Sequence, residues 1–138
     1  MSDLTRHRGP DESASYRIDS KTKTCFLAAN RLKITDQSEI ASQPFISPDS
    51  KYALLFNGEI YNFYILKNDL LNKNIVFSSH SDTEVLFHWL VLNGKSGIEK
   101  LEGMFAFIFI DVEKDEILIA RDRFGIKPIY YYEDDNCF

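Results

Sequence analysis

Five positions carry groups suited to holding a small polar molecule: Arg31, Asn57, Gly58, Glu59 and Asp82. A guanidinium grips a carboxylate with a planar two-pronged fork. An asparagine amide donates hydrogen bonds, and a glycine lets its backbone come close to whatever it faces. Each also has a plainer explanation. An arginine at a strand end is often simply solvated. Asn-Gly is a favoured hairpin turn. An aspartate in the first turn of a helix stabilises the helix dipole wherever it occurs, and Glu59 could be an ordinary loop charge. The context decides between them: Asn57, Gly58 and Glu59 sit in Phe56-Asn57-Gly58-Glu59-Ile60-Tyr61-Asn62, and Asp82 sits in Ser81-Asp82-Thr83-Glu84.

Nucleophiles and metal ligands are scarce. The chain has two cysteines, Cys25 and Cys137. Cys25 lies in an apolar, strand-like run and reads as a small buried residue. Cys137 lies next to the C-terminal Phe138, and no cysteine stands at position 1 or 2. The three histidines, His7, His80 and His88, show no metal-ligand spacing.

A chain of 138 residues is one domain by the usual prior. With 44% hydrophobic and 27% charged residues its composition is globular. A net charge of -5 and a pI near 5.2 argue against nucleic acid or an anionic membrane as partner. No apolar run approaches the roughly 20 residues of a membrane span. The polar N-terminus lacks the apolar core of a secretory signal, and two cysteines make no disulfide framework. A reducing cytoplasm is the expected location.

The elements that must position these residues follow from patterning. Residues 5–20 are polar, with Gly9-Pro10-Asp11 as turn chemistry, and read as loop. Residues 25–29 and 32–34 read as strand pieces, and residues 35–50, with Pro44 and Pro48, as loop. Residues 52–56 form a short strand expected to stop at Asn57-Gly58. Residues 64–71 have helical spacing, and residues 75–77 suggest a short strand. The surest helix runs from Ser81 to Asn93: Ser81 with Glu84 makes a capping box, Val85, Leu86, Trp89 and Leu92 share a face, and Gly94 stands at the cap. Met104-Phe105-Ala106-Phe107-Ile108-Phe109-Ile110 is apolar at odd and even positions alike, so it must be covered on both sides. Residues 113–116 turn the chain into Ile117-Leu118-Ile119-Ala120, an antiparallel partner. Residues 129–132 suggest one more strand. Antiparallel strands covered on both faces imply a layered α+β sandwich.

In order, the chain contains His7-Arg8-Gly9-Pro10-Asp11, Asn57-Gly58-Glu59-Ile60-Tyr61-Asn62, Ser81-Asp82-Thr83-Glu84-Val85, Gly103-Met104-Phe105-Ala106-Phe107, and Ala120-Arg121-Asp122-Arg123-Phe124-Gly125-Ile126-Lys127-Pro128. Together these phrases resemble the glutaminase domain of asparagine synthetase, a class II glutamine amidotransferase, over nearly all of residues 1–138. The resemblance implies the N-terminal-nucleophile hydrolase fold, an αββα sandwich of mainly antiparallel sheets, here without its first strand and helix. It implies glutamine as ligand. Arg31 then matches the residue that holds the α-carboxylate, with Leu32, Lys33, Ile34 and Thr35 continuing that side of the pocket. Lys33 replaces the small polar residue the family tends to have. Asp82 matches the carboxylate that receives the ammonium, Glu59 is a further partner for it, and Asn57 and Gly58 match the oxyanion hole. Losing one oxyanion donor typically costs about 3–4 kcal/mol of transition-state stabilisation.

In that family an N-terminal thiolate attacks the glutamine side-chain amide, with its own α-amino group as base. Ammonia then passes to a second domain, where ATP activates aspartate. This sequence places no thiol at its start and has no Ser-Gly-Gly-x-Asp-Ser loop for pyrophosphate. Ser2, five residues before His7, leaves no room for a strand to present it. The resemblance therefore implies a chain that starts at an internal methionine of a longer reading frame and is catalytically silent as written. ATP and magnesium would belong to a separate synthetase domain, and no cofactor to this chain. The alternative is a glutamine-binding regulatory module.

Overall fold

The computed structural model describes residue 7 and residues 9–31 and 42–134, without the side chain of Arg31. Strands β1 (Glu12–Asp19) and β2 (Thr24–Arg31) pair antiparallel as a ribbon, with Glu12 opposite Arg31 and Asp19 opposite Thr24. Reading residues 5–20 as loop was therefore wrong for β1. Of its residues only Ile18 is buried, and the exposed positions carry the polar side chains that hid the strand. The expected strand at 32–34 lies outside the described residues.

The larger sheet has the order β3 (Phe45–Ile46), β4 (Tyr52–Ile60), β5 (Gly103–Asp111) and β6 (Glu116–Arg121), antiparallel throughout. β3 interrupts the expected loop 35–50. β4 does not stop at Asn57-Gly58 but runs on to Ile60, with Asn57 opposite Ala106 and Gly58 opposite Phe105. The ladder with β5 overrides the turn propensity of the dipeptide. Among the described residues, 75–77 and 129–132 pair with no strand, and Val76 (83% exposed) and Tyr130 (91%) lie open.

Helix α1 (Phe63–Leu71) and helix α2 (Asp82–Asn93) form as expected, and α2 runs into a 3-10 helix at Gly94–Lys100. The faces of β4 and β5 sort by parity. Leu54, Phe56, Ile60, Phe105, Phe107 and Phe109 pack with Leu66 and Leu70 of α1 and Val85, Leu86 and Leu90 of α2. Ala53 and Ile110, on the opposite face, pack with Ile18 and Leu27 of the ribbon. The expected burial of β5 on both faces is thus realised, and the described residues form three layers: helices, large sheet, ribbon. Fully burying a side chain of Leu or Phe size contributes roughly 1.5–3 kcal/mol, so the helix-side cluster is the principal source of stability.

The capping box at α2 is half realised. Ser81 Oγ accepts from the Thr83 amide at 3.0 Å. Glu84, 2% exposed, does not turn back to Ser81; its carboxylate accepts from the amides of Ser78 (2.8 Å) and Ser79 (2.7 Å) and from the Ser79 hydroxyl (2.6 Å). It thereby ties down the loop that leads into Asp82.

Two further carboxylates hold the frame. Asp115, at the β5–β6 turn, accepts from the hydroxyls of Ser20 and Thr22 and pairs with Lys23 Nζ at 3.2 Å, fastening the two hairpin tips together. Asp122, buried just after β6, accepts from the amides of Phe105 (3.2 Å), Phe124 (3.1 Å), Ile126 (3.0 Å) and Lys127 (3.0 Å). The Lys127 amide, with the other three, outweighs burial and lowers the Asp122 carboxyl to about 2. A depressed carboxylate contributes stability above its unfolded value near 3.9, and that contribution is lost as pH falls toward about 2. Asp122→Asn is expected to lower Tm at pH 7 and to flatten the part of the acid limb between about pH 4 and pH 2 that this group causes. Thermal scans across that range check it; an acid limb parallel to that of the wild type refutes it.

Candidate functional site

In an antiparallel strand, the N–H and C=O of a residue point to the same side, and successive residues alternate. In β4 the even-numbered residues point away from β5. Tyr52 accepts from the Ser47 amide through its carbonyl, at 2.9 Å. Leu54 pairs with Phe45 of β3. Phe56 is served by a side chain: its N–H donates to Gln43 Oε1, and its C=O accepts from Gln43 Nε2, both at 2.7 Å. The Ile60 N–H donates to Asp82 Oδ2 at 3.0 Å. Gly58 lies between them, and its amide must point to the same edge. Phe105, opposite Gly58, confirms the parity, since its own N–H and C=O both go to Asp122. Among the described residues no group takes the Gly58 N–H, which faces the stretch of strand edge between the Gln43 and Asp82 side chains.

The glycine at this position is demanded twice. Its φ is +148°, and a Cβ there would lie 2.0 Å from the Met104 carbonyl oxygen and 2.7 Å from Phe105 Cα. Asn57 shares the β4 face of Ala53 and Leu55, the face turned to the ribbon, and its side chain is exposed. Glu59 is also exposed. Asp82 is half-buried at the start of α2; burial raises its carboxyl above the ordinary value against the pull of the Ile60 amide, and Glu59 raises it further.

The backbone of Arg31 can be placed through the layers. Leu27 of β2 and Ala53 of β4 share one core cluster, and both strands run away from the end where Asp115 joins the hairpin tips. Four residues further on, each strand reaches Arg31 and Asn57 respectively, about 13 Å along at the usual strand rise. Arg31, Asn57, Gly58, Glu59 and Asp82 therefore converge on the same end of the sandwich. Leu32, Lys33, Ile34 and Thr35 lie outside the described residues.

Two participants escaped the sequence reading. Gln43 was assigned to a polar loop, although the Pro44 beside it, which has no N–H to donate, was a signal that a side chain might do a strand's work there. Asn62 was part of a phrase but had no role. Its side chain donates to the Lys100 carbonyl (2.8 Å) and accepts from the Glu102 amide (3.1 Å), tying the end of β4 to the approach to β5. Cys25 packs with the ribbon-side cluster, and burial raises its thiol. It is half-buried at the margin of that cluster, less enclosed than its apolar run suggested. Among the described residues no three His, Cys, Asp or Glu side chains could hold a metal ion, and no helix is long and apolar enough to cross a membrane.

Two solved structures share this layered arrangement. One is the allosteric regulatory enzyme of purine biosynthesis (TM-score 0.69), the other the glutamine phosphoribosylpyrophosphate amidotransferase of Bacillus subtilis (TM-score 0.64); each is 24% identical and covers 87% of this chain and 33% of its own. The architecture is that of the N-terminal-nucleophile hydrolase sandwich. The sequence narrows it further: the chain belongs to the glutamine amidotransferase domain family, whose profile matches residues 1–138. It is 39% identical over 133 residues to asparagine synthetase (glutamine-hydrolyzing) 2 of Bacillus subtilis, covering 96% of this chain and 17% of that protein. It is 38% identical over 136 residues to asparagine synthetase B of Escherichia coli, covering 99% and 24%. The chain thus spans about a fifth of the length of these curated relatives.

Proposed function

We propose that this domain binds glutamine as the nitrogen donor for amide formation in an asparagine synthetase-type enzyme. The observation that carries the reading is the Gly58 amide, left open on a strand edge beside the carboxylate of Asp82. In this reading Arg31, with Leu32, Lys33, Ile34 and Thr35, holds the α-carboxylate. Asp82 keeps one oxygen on the Ile60 amide and offers the other to the α-ammonium, with Glu59 adding negative charge. The side-chain carbonyl oxygen of glutamine sits in the corner where the Asn57 amide meets the Gly58 N–H. These donors fit an oxygen that gains negative charge when the amide carbon is attacked. Activation of the acceptor by ATP and magnesium belongs to a synthetase domain elsewhere; no residue described here is assigned to it.

The 138-residue chain as written is proposed to bind without hydrolysing. Cleavage needs a thiolate or alkoxide held at the corner, and Cys25, at the hairpin-tip end of β2 away from that corner and with a raised thiol, supplies none. Calorimetry with L-glutamine should give saturable one-to-one binding, and a coupled assay should detect no glutamate. Absence of binding refutes the pocket; sustained glutamate release refutes the silence.

A further inference from the structure

We infer that Gln43 is a positioning residue for the Gly58 amide, an inference that rests on the glutamine reading above. β3 is only two residues long, and the residue before it, Pro44, has no N–H to continue the ladder. One residue earlier, the Gln43 side chain takes over: it donates to the Phe56 C=O and accepts from the Phe56 N–H, both at 2.7 Å, so a primary amide replaces a strand backbone. The orientation of the amide is fixed by need, since the carbonyl requires the NH2 and the N–H requires the oxygen. A backbone strand in this place would have continued along the edge and consumed the next outward amide, that of Gly58. A side chain cannot continue. It satisfies Phe56 and ends the pairing, and among the described residues it leaves Gly58 open while holding the peptide two residues before it. Asp82 does the same from the other side through Ile60. The Gly58 edge is thus bracketed by two side chains that clamp the strand and, among the described residues, leave its middle donor unused.

Gln43→Met keeps the length of the side chain and removes both bonds. Two readouts follow. In the unliganded protein, amide hydrogen exchange should show Phe56 protected and Gly58 fast in the wild type, with Phe56 accelerated roughly 100-fold in the variant and Leu54 unchanged. In calorimetry, glutamine affinity should fall about tenfold, the size of one misplaced hydrogen bond. Affinity for L-norvaline, which has both charged ends and no side-chain carbonyl, should stay the same. Unchanged protection of Phe56, or an equal loss for both ligands, overturns the inference. If the wild type binds no glutamine, the functional reading fails and the exchange experiment still decides the role of Gln43. If the methionine variant does not fold, Gln43→Glu, which keeps the acceptor but sets a carboxylate against the Phe56 carbonyl, serves in the same two measurements.

Discussion

Gly58→Ala is expected to destabilise the domain by roughly 3–5 kcal/mol and to lower its Tm by about 10–20 °C. The added methyl group would lie 2.0 Å from the Met104 oxygen and 2.7 Å from Phe105 Cα, all backbone atoms that cannot rotate aside. Its φ of +148° adds backbone strain for any residue with a Cβ. The clash is reciprocal along the ladder. At Gly103, two positions away on β5, a Cβ would lie 2.1 Å from the Glu59 oxygen, so the strands cross closely through a pair of missing side chains. Gly94→Ala is the control: no atom lies within 4 Å of its Cβ position, and only its φ of +54° resists, at a cost of about 1–2 kcal/mol. Urea unfolding of the variants separates the cases; equal midpoints for Gly58→Ala and Gly94→Ala would contradict the packing argument.

Asp82→Asn is expected to do the opposite to stability and the most damage to binding. Burial raises the Asp82 carboxyl in the folded state. A carboxyl raised on folding is harder to ionise there than in the unfolded chain, so above that raised value its charge destabilises the fold. Asparagine removes the charge and keeps an oxygen for the Ile60 amide, now 3.0 Å from Asp82. Tm at pH 7 should therefore hold or rise by a few degrees. Glutamine should bind about 30- to 1,000-fold more weakly, as expected when a desolvated charge pair loses one partner. Wild-type affinity should fall with pH already above the ordinary carboxylate range, because burial makes Asp82 take up its proton early, and any affinity left in the variant should show no such step. A variant that is less stable and binds glutamine normally would remove Asp82 from the site.

Where packing dictated the outcome, the sequence could be read directly. The seven-residue apolar run from Met104 had to be covered on both faces, and α2 carried its cap, its stripe and its stop. Errors arose where an element's partner could not be seen. β1 contributes one fully buried residue, so its polarity resembled that of a loop. Asn57-Gly58 has the chemistry of a turn, and only the close approach of β5 shows why a glycine stands in mid-strand. Residues 75–77 and 129–132 have strand propensity but pair with no strand among the described residues. The candidate site was legible only in part. Its charged ends came from phrases, but the edge that exposes the Gly58 amide depends on Gln43, fifteen positions away in what looked like an unstructured stretch.

The lashing of Ser20, Thr22 and Lys23 to Asp115 has a mechanical consequence. It pins the ribbon to the large sheet at the rim farthest from Gly58, as a spine holds the covers of a book. Amide hydrogen exchange is therefore expected to be slowest beside those turns and fastest toward Arg31 and Asn57, and a guest that bridges these two strands is expected to slow it most at that end.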